Sequence, residues 1–597
     1  MAPPVTKPAR PPGHAARIWG LIRDPAPGRL SYALRIAAGC TATVLVGEIW
    51  QVPDLGVPAL VALALWQKDR VTNVVAGVAL NLLVVVLLAA IYAVVRLTLD
   101  HTVIFVAYIT VLSFCFFFLG SASKLKPVAY MLGLIIIYGL VAVEEVPIGE
   151  IITRALLYTD LFLLVPGAVM VVLGLLICPS PRQVAAEGIA ARLRTSAMLL
   201  RGASPKEQTH AALLLRAGGA EMLKALTMAK LEYLWKPSDL ACLHQAANSS
   251  VTLLALAHAA QAEGATAPQS LITTLEDMAD IFSHARYPVD ITAPDIPAGQ
   301  PALQAIATLL TVFTVPEAKP APDKTEKKKK DGFFTADAFT NPEHVRFAVK
   351  GTAGVMISYV FFRSINWPGI HTCIITCFIV ALPTTGEMVS KLTLRIVGAC
   401  IGGAIGILSI IFILPHMQGI TAFLILVAVV SLLAAWIKTA DERIAYSGFQ
   451  IGLAFYLSDL SGFGPTTDMT TARDRIVGIL VGNFITYAVF TTFWPTSAYA
   501  GIAPCLKAVT TQLEKLRRAV GPQARANVMA SLQSALSEGE RQVEYALAEP
   551  LHMRRSMKNL DALQSAFTDA EQIGTDILEG TPPDPVHRIA ALEKLTS

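Results

Sequence analysis

The chain has 597 residues, 54% hydrophobic and only 15% charged, with a formal net charge of +4. Soluble globular chains carry about 25% charged residues, so an ordinary soluble chain is excluded. The small positive balance makes no case for a nucleic-acid partner, because the basic residues flank apolar runs.

In chain order, residues 1–32 are rich in Pro and Arg and hold no apolar core of a signal peptide. They read as a cytoplasmic segment, with the first span acting as the insertion signal. Residues 33–178 hold six apolar runs, at 33–50, 55–67, 71–95, 102–120, 127–143 and 152–177. Val71–Val95 carries no charge and only Thr72, Asn73 and Asn81 as polar side chains. Such a run crosses about 30 Å of hydrocarbon as a helix. The connections alternate in charge. Lys68/Arg70, Lys124/Lys126 and Arg182 share the side of Arg17, Arg23 and Arg29, whereas Glu48/Asp54, Asp100 and Glu144/Glu145/Glu150 lie opposite. The positive-inside rule then places the N-terminus in the cytoplasm. Arg96 and Arg154 depart from the pattern, each at a span end where an arginine can snorkel.

Residues 179–315 show apolar positions at helical spacing with charges opposite, as in "HAALLLRAGGAEMLKALTMAKLEYLW". These are amphipathic helices, too polar and broken to span. A Pro/Lys-rich linker, 316–340, follows; its lysines Lys327–Lys330 suit anionic lipid beside a cytoplasmic flank. Residues 341–496 hold six more runs, at 345–362, 368–384, 391–414, 419–437, 445–460 and 475–494, and 497–597 returns to amphipathic helices. "YALRIAAGCTATVLVGEIWQVP" aligns with "FAVKGTAGVMISYVFFRSINWP" at a constant offset of 315, so that Arg35 meets Lys350, Gly39 meets Gly354 and Pro53 meets Pro368. The expected fold is all-α and polytopic: two parallel six-helix repeats, about 12 transmembrane helices in total. The central region and the C-terminal tail add a cytoplasmic helical domain, and both termini are cytoplasmic.

Catalytic signals are missing. There is no phosphate loop, no H-E-x-x-H, no Cys/His metal spacing and no G-x-S-x-G, so neither an enzyme nor a cofactor or metal is expected. Cys373 and Cys377 share a helix face but read as small packing residues, and Gly398, Gly402 and Gly406 read as close helix contacts. Polar residues within spans are the functional candidates, because burial in lipid is expensive. In "TTARDRIVGILVGNF" the cluster Arg473, Asp474 and Arg475 meets an apolar run. It reads as a structural charge cluster in which one arginine pairs with Asp474 and the other stays available.

"GFQIGLAFYLSDLSGFGPTTDMTTARDRIVGILVGN" (448–483) resembles the signature segment of the fusaric acid resistance protein family. The likeness is nearest to the aromatic carboxylic acid exporters of bacterial inner membranes. It implies efflux of small aromatic or amphipathic carboxylates, a periplasmic membrane-fusion protein as partner, and a multi-pass protein of the inner membrane; the layout also admits a homo-oligomer. A site for such a solute needs a cation for the carboxylate and an aromatic wall for the ring. The candidate cations are Arg35, Lys350, Arg395 and Arg475, and the candidate walls are Trp367, Phe449, Phe455 and Tyr456. Proton coupling would need an intramembrane acid, for which Asp160 and Asp459 stand available. A passive organic-anion channel and a non-transporting scaffold are the alternative readings.

Overall fold

The computed structural model describes residues 14–98, 101–144, 149–317 and 332–595, apart from 24, 25, 27, 234, 298, 463, 467, 556, 558 and 581–584. Residues 1–13 and the lysines Lys327–Lys330 lie outside the described residues.

Each run predicted to span is helical. The first set is α1 (Arg29–Ile49), α2 (Gly56–Leu65), α3 (Arg70–Thr98), α4 (Thr102–Ala122), α5 (Lys126–Glu144) and α6 (Gly149–Ile177). The central region forms α7 (Pro181–Gly202), α8 (Pro205–Ala217), α9 (Ala220–Ala229), α10 (Pro237–Ala262), α11 (Gln269–Ser283) and α12 (Pro301–Leu310). The second membrane set is α13 (Pro342–Ser364), α14 (Thr372–Val380), α15 (Thr385–Leu408), α16 (Ile420–Lys438), α17 (Glu442–Asp459) and α18 (Met469–Thr492). The tail supplies α19 (Tyr499–Arg518), α20 (Pro522–Ala548), α21 (Leu560–Glu579) and α22 (Pro585–Lys594). Local chemistry marks several starts. Ser180 accepts from the Gln183 N–H, Asn341 from Glu343 and Asp441 from Arg443, at 3.2, 3.0 and 2.9 Å. Each side chain covers a backbone donor that a helix start leaves bare.

Among the described residues, nine helices are long and apolar enough to cross a membrane. One of them, α10, has 83% of its apolar window buried inside the protein and is the core helix of the polar region. The other eight are α1, α3, α4 and α6, then α13, α15, α16 and α18. Their outer faces carry bare apolar side chains such as Val103, Leu176 and Phe484, more than 70% exposed, which only lipid accommodates over so wide an area. In both sets the second helix falls short of that test. At 10 and 9 residues, α2 and α14 reach about 15 Å, half the hydrocarbon thickness.

The chain packs as two compact units, each drawn from two separate stretches: residues 1–64 with 394–472, and 65–393 with 473–597. In the first unit α1 packs on α16, and α16 on α17. The short α2 is held at both ends. At its start the Asp54 and Gly56 N–H groups donate to the Gly462 and Leu460 carbonyls at 2.6 and 3.1 Å. At its end the Lys438 ammonium donates to the carbonyls of Leu63 and Ala64, where a cation suits the helix dipole.

In the second unit α13 packs on α4 and α3 on α6. Asn73, polar within an apolar span, donates Nδ2–H to the Met170 carbonyl at 2.8 Å. Phe117 stacks on Phe378 with ring centroids 4.6 Å apart. The polar regions before and after the second membrane set share one apolar core, in which Leu193, Leu253 and Phe282 meet Leu506, Met529 and Phe567. Arg216 on α8 grips both carboxylate oxygens of Glu544 on α20 at 2.7 Å, the two-point geometry that a planar guanidinium favours.

Candidate functional site

The first unit contains a polar seam where α15 meets α17. Residues three and four apart share a helix face, and Arg395, Gly398, Gly402 and Gly406 form such a row on α15. Opposite them stand Tyr446, Gln450, Ile451 and Asp459 of α17. A Cβ at Gly398 would come within 2.6 Å of Gln450 Cβ and the Ser447 carbonyl, so only glycine lets the helices approach this closely. At one end of the seam Arg395, 1% exposed, donates Nη1–H to the Tyr446 hydroxyl at 3.3 Å. The Phe449 ring lies 6.2 Å from that of Tyr446. Gln450, one turn further along, is fully buried.

At the other end α15 runs into a π-helical turn, Ser409–Ile413, a distortion that often marks functional sites. Ser409 faces Asp459, which is fully buried. The Ser409 hydroxyl has one proton but two acceptors in reach, the Gly406 carbonyl at 2.8 Å and Asp459 Oδ2. Both contacts are satisfied together when the carboxyl carries its own proton and donates it to Ser409 Oγ. Asp459 Oδ1 is sheltered and has no hydrogen-bond partner among the described residues. Thirteen residues of helix, Tyr446 to Asp459, separate the two ends, a rise of about 20 Å.

The other expected site residues divide between the units. In the first unit Phe455 and Tyr456 are fully buried, and the Tyr456 hydroxyl, 2.6 Å from Ser431 Oγ, fastens α17 to α16. Arg35 donates to Ser31 one turn back on its own helix at 2.7 Å.

In the second unit Lys350, 2% exposed, donates to the Trp494 carbonyl at 2.9 Å. Its ammonium lies 5.2 Å from the centroid of the Phe490 ring. The charge cluster forms at the start of α18: Arg473 donates Nε–H to Asp474 Oδ1 at 2.9 Å, and its guanidinium lies 5.5 Å from the Trp367 ring centroid. Arg475 Nε has no partner among the described residues. Asp160 on α6 is half-buried, and its Oδ1 is likewise unpartnered.

No group of three His, Cys, Asp or Glu that could hold a metal occurs among the described residues. Cys377 lies against Ser358 Oγ at 3.4 Å and Thr486 Oγ1 at 3.5 Å, which is helix packing. Ser409, Tyr446, Gln450 and Lys438 were not singled out from sequence, although Gln450 stands as a lone amide in an apolar run.

These features define a polytopic helical membrane protein with buried ionisable groups in its membrane helices. Residues 356–540 match the fusaric acid resistance protein-like family, and the signature segment 448–483 lies within that match. Over 186 residues the chain is 38% identical to the multidrug resistance protein MdtO of Shigella flexneri and to that of Escherichia coli K12. The aligned stretch is 31% of this chain and 27% of the length of those relatives. No solved structure matches the chain.

Proposed function

We propose that the chain is an efflux transporter of the bacterial inner membrane. It exports small aromatic or amphipathic carboxylic acids, driven by the membrane potential, a proton gradient or both. The observation that carries this reading is the α15–α17 seam, with a buried guanidinium beside aromatic rings at one end and a buried carboxyl with an unpartnered oxygen at the other. Arg395 supplies charge for a carboxylate, and Tyr446 and Phe449 supply a wall for a ring. Asp459 supplies a proton-binding group. The relatives' name, multidrug resistance protein, agrees with efflux.

The architecture proposed with it is two parallel six-helix repeats, twelve spans in all, with both termini and the helical bundle cytoplasmic. Reciprocal packing supports duplication: α1 lies on α16, and α13, its counterpart, lies on α4, the counterpart of α16. The short helices α2 and α14 fall at matching places. In duplicated transporters such interrupted segments point to the substrate site. A periplasmic membrane-fusion protein, which rests on the family resemblance, and a homo-oligomeric state, which the layout admits, are part of the proposal.

The test is counterflow of radiolabelled aromatic acids in liposomes containing the purified chain, with and without an imposed pH gradient. Export predicts saturable counterflow that the gradient accelerates. Flux that is indifferent to the gradient and does not saturate would favour a passive organic-anion channel, and no flux would favour a scaffold.

A further inference from the structure

Helix α9 and the turn after it stand beside the start of a membrane helix. Arg70, the first residue of α3, donates Nε–H to Glu232 Oε1 at 2.8 Å, and the Glu232 side chain is only 5% exposed. Two residues earlier, Lys68 pairs with Glu221 at 2.5 Å. Glu221 opens α9 and Glu232 closes the turn behind it, so the segment is tied at both ends to the point where α3 enters hydrocarbon. One face of α9, Met222, Ala225, Leu226 and Ala229, is buried in the bundle. The face that carries Glu221 also carries Lys224 and Thr227 at spacings of three, all exposed.

That face runs on into the turn. Leu231 is 52% exposed and Tyr233 is 90% exposed. Tyr233 also has a positive φ of 53°, a conformation that bulky residues rarely adopt. A large ring held out in this way is costly in water unless something receives it. The charges around it are one-sided. Glu221 and Glu232 are already taken by Lys68 and Arg70, whereas Lys224, Lys230 and Lys236 are exposed and have no ion-pair partner among the described residues.

We infer that this face of α9 and the residues just after it, 230–233 with Lys236, form a foot that rests on anionic phospholipid around α3. Tyr233 and Leu231 enter the interfacial layer, and the three lysines lie over acidic headgroups. Tyrosine collects at that depth because its ring is apolar and its hydroxyl polar. Unpaired lysines at a membrane surface are drawn to anionic lipid. The ion pairs at Lys68 and Arg70 fix the height of the foot, which favours a bilayer over a protein partner as the occupant. The foot steadies the helical bundle against the membrane independently of what the transport helices carry.

The test uses the full chain in nanodiscs of phosphatidylcholine, alone or mixed with phosphatidylglycerol. A dansyl-bearing amino acid is placed at position 233 or, as control, at 520, where Val520 is also 90% exposed. With phosphatidylglycerol present, emission at 233 should shift to the blue and be quenched by lipids brominated high on the acyl chain, while position 520 should be quenched only by aqueous iodide. Combining K224Q, K230Q and K236Q should bring the 233 signal down to that of the control. Iodide quenching at 233 equal to that at 520 in both membranes would overturn the inference. Shielding from iodide without quenching by brominated lipid would also overturn it, because a protein would then cover the site.

Discussion

Replacing Glu549 with alanine should unseat the first turn of α19. Glu549 lies just past the end of α20 and is 1% exposed. It accepts from the Ala498 N–H at 2.6 Å and from the Ser497 hydroxyl at 2.8 Å. Ala498, which precedes α19, has no acceptor of its own, so the carboxylate does from a distance what a Ser or Asp cap does locally. Removing it strands the buried Ala498 N–H and the part-buried Ser497 hydroxyl, at about 1–3 kcal/mol each. The hydroxyl can turn elsewhere, which leaves a net cost of about 2 kcal/mol. Local opening made easier by that amount raises amide exchange in the first turn of α19 by roughly 30-fold. The loss should also reach the membrane helices, because Gly386 at the start of α15 abuts the Tyr545 carbonyl of α20 with no room for a Cβ. Hydrogen–deuterium exchange of purified E549A in detergent reads both places. Unchanged protection over residues 499–502 would refute the capping argument.

Asp459→Asn keeps the size of the side chain and removes its proton. Leaving under about 100 mV alone, a monovalent anion accumulates outside about 50-fold, from ~2.3 kcal/mol. Exchange for one entering proton across one pH unit multiplies that by roughly 500. The variant should lose this second factor in proteoliposome accumulation assays, and an unchanged ratio would remove Asp459 from coupling and leave Asp160 to test. In the polar bundle, burial, then Glu263 and then Asp576 push the Glu579 carboxyl up to about 7. The folded bundle therefore holds this proton more tightly than the unfolded chain does. Its stability should fall as pH rises from the ordinary carboxylate range through about 7 and be flat above that. Thermal melts across this range should show a shallower slope in Glu579→Gln, and an identical slope would exclude Glu579 as the cause.

Hydropathy made the membrane helices legible because lipid demands unbroken apolar runs. It did not reveal that α2 and α14 are so short, since their runs continue in apolar residues that leave the helix near Trp66 and Ala381. Within the seam, Arg395 and Asp459 were visible as charges that lipid would reject. Ser409 was not, because a serine in a helix ordinarily bonds its own backbone; its role depends on the register of α15 against α17. Lys438 drew no attention in the sequence, and only the fold shows it closing the end of α2. Phe455 and Tyr456 drew attention as aromatics in the signature segment, yet sequence alone does not say which face of α17 is packed away.

The exchange of first helices also bears on how the protein is made. Helix α1 leaves the ribosome long before the helix it packs against, α16, which begins only at Ile420. About 370 residues of synthesis separate them, which at roughly 5–20 residues per second is a wait of some 20–75 s. Through that interval α1 sits in the bilayer with its packing face, Ala33, Ile36, Ala37 and Cys40, against lipid or a chaperone. The first half therefore does not finish its own packing, and a chain cut between the halves would fold only when both pieces enter the same membrane.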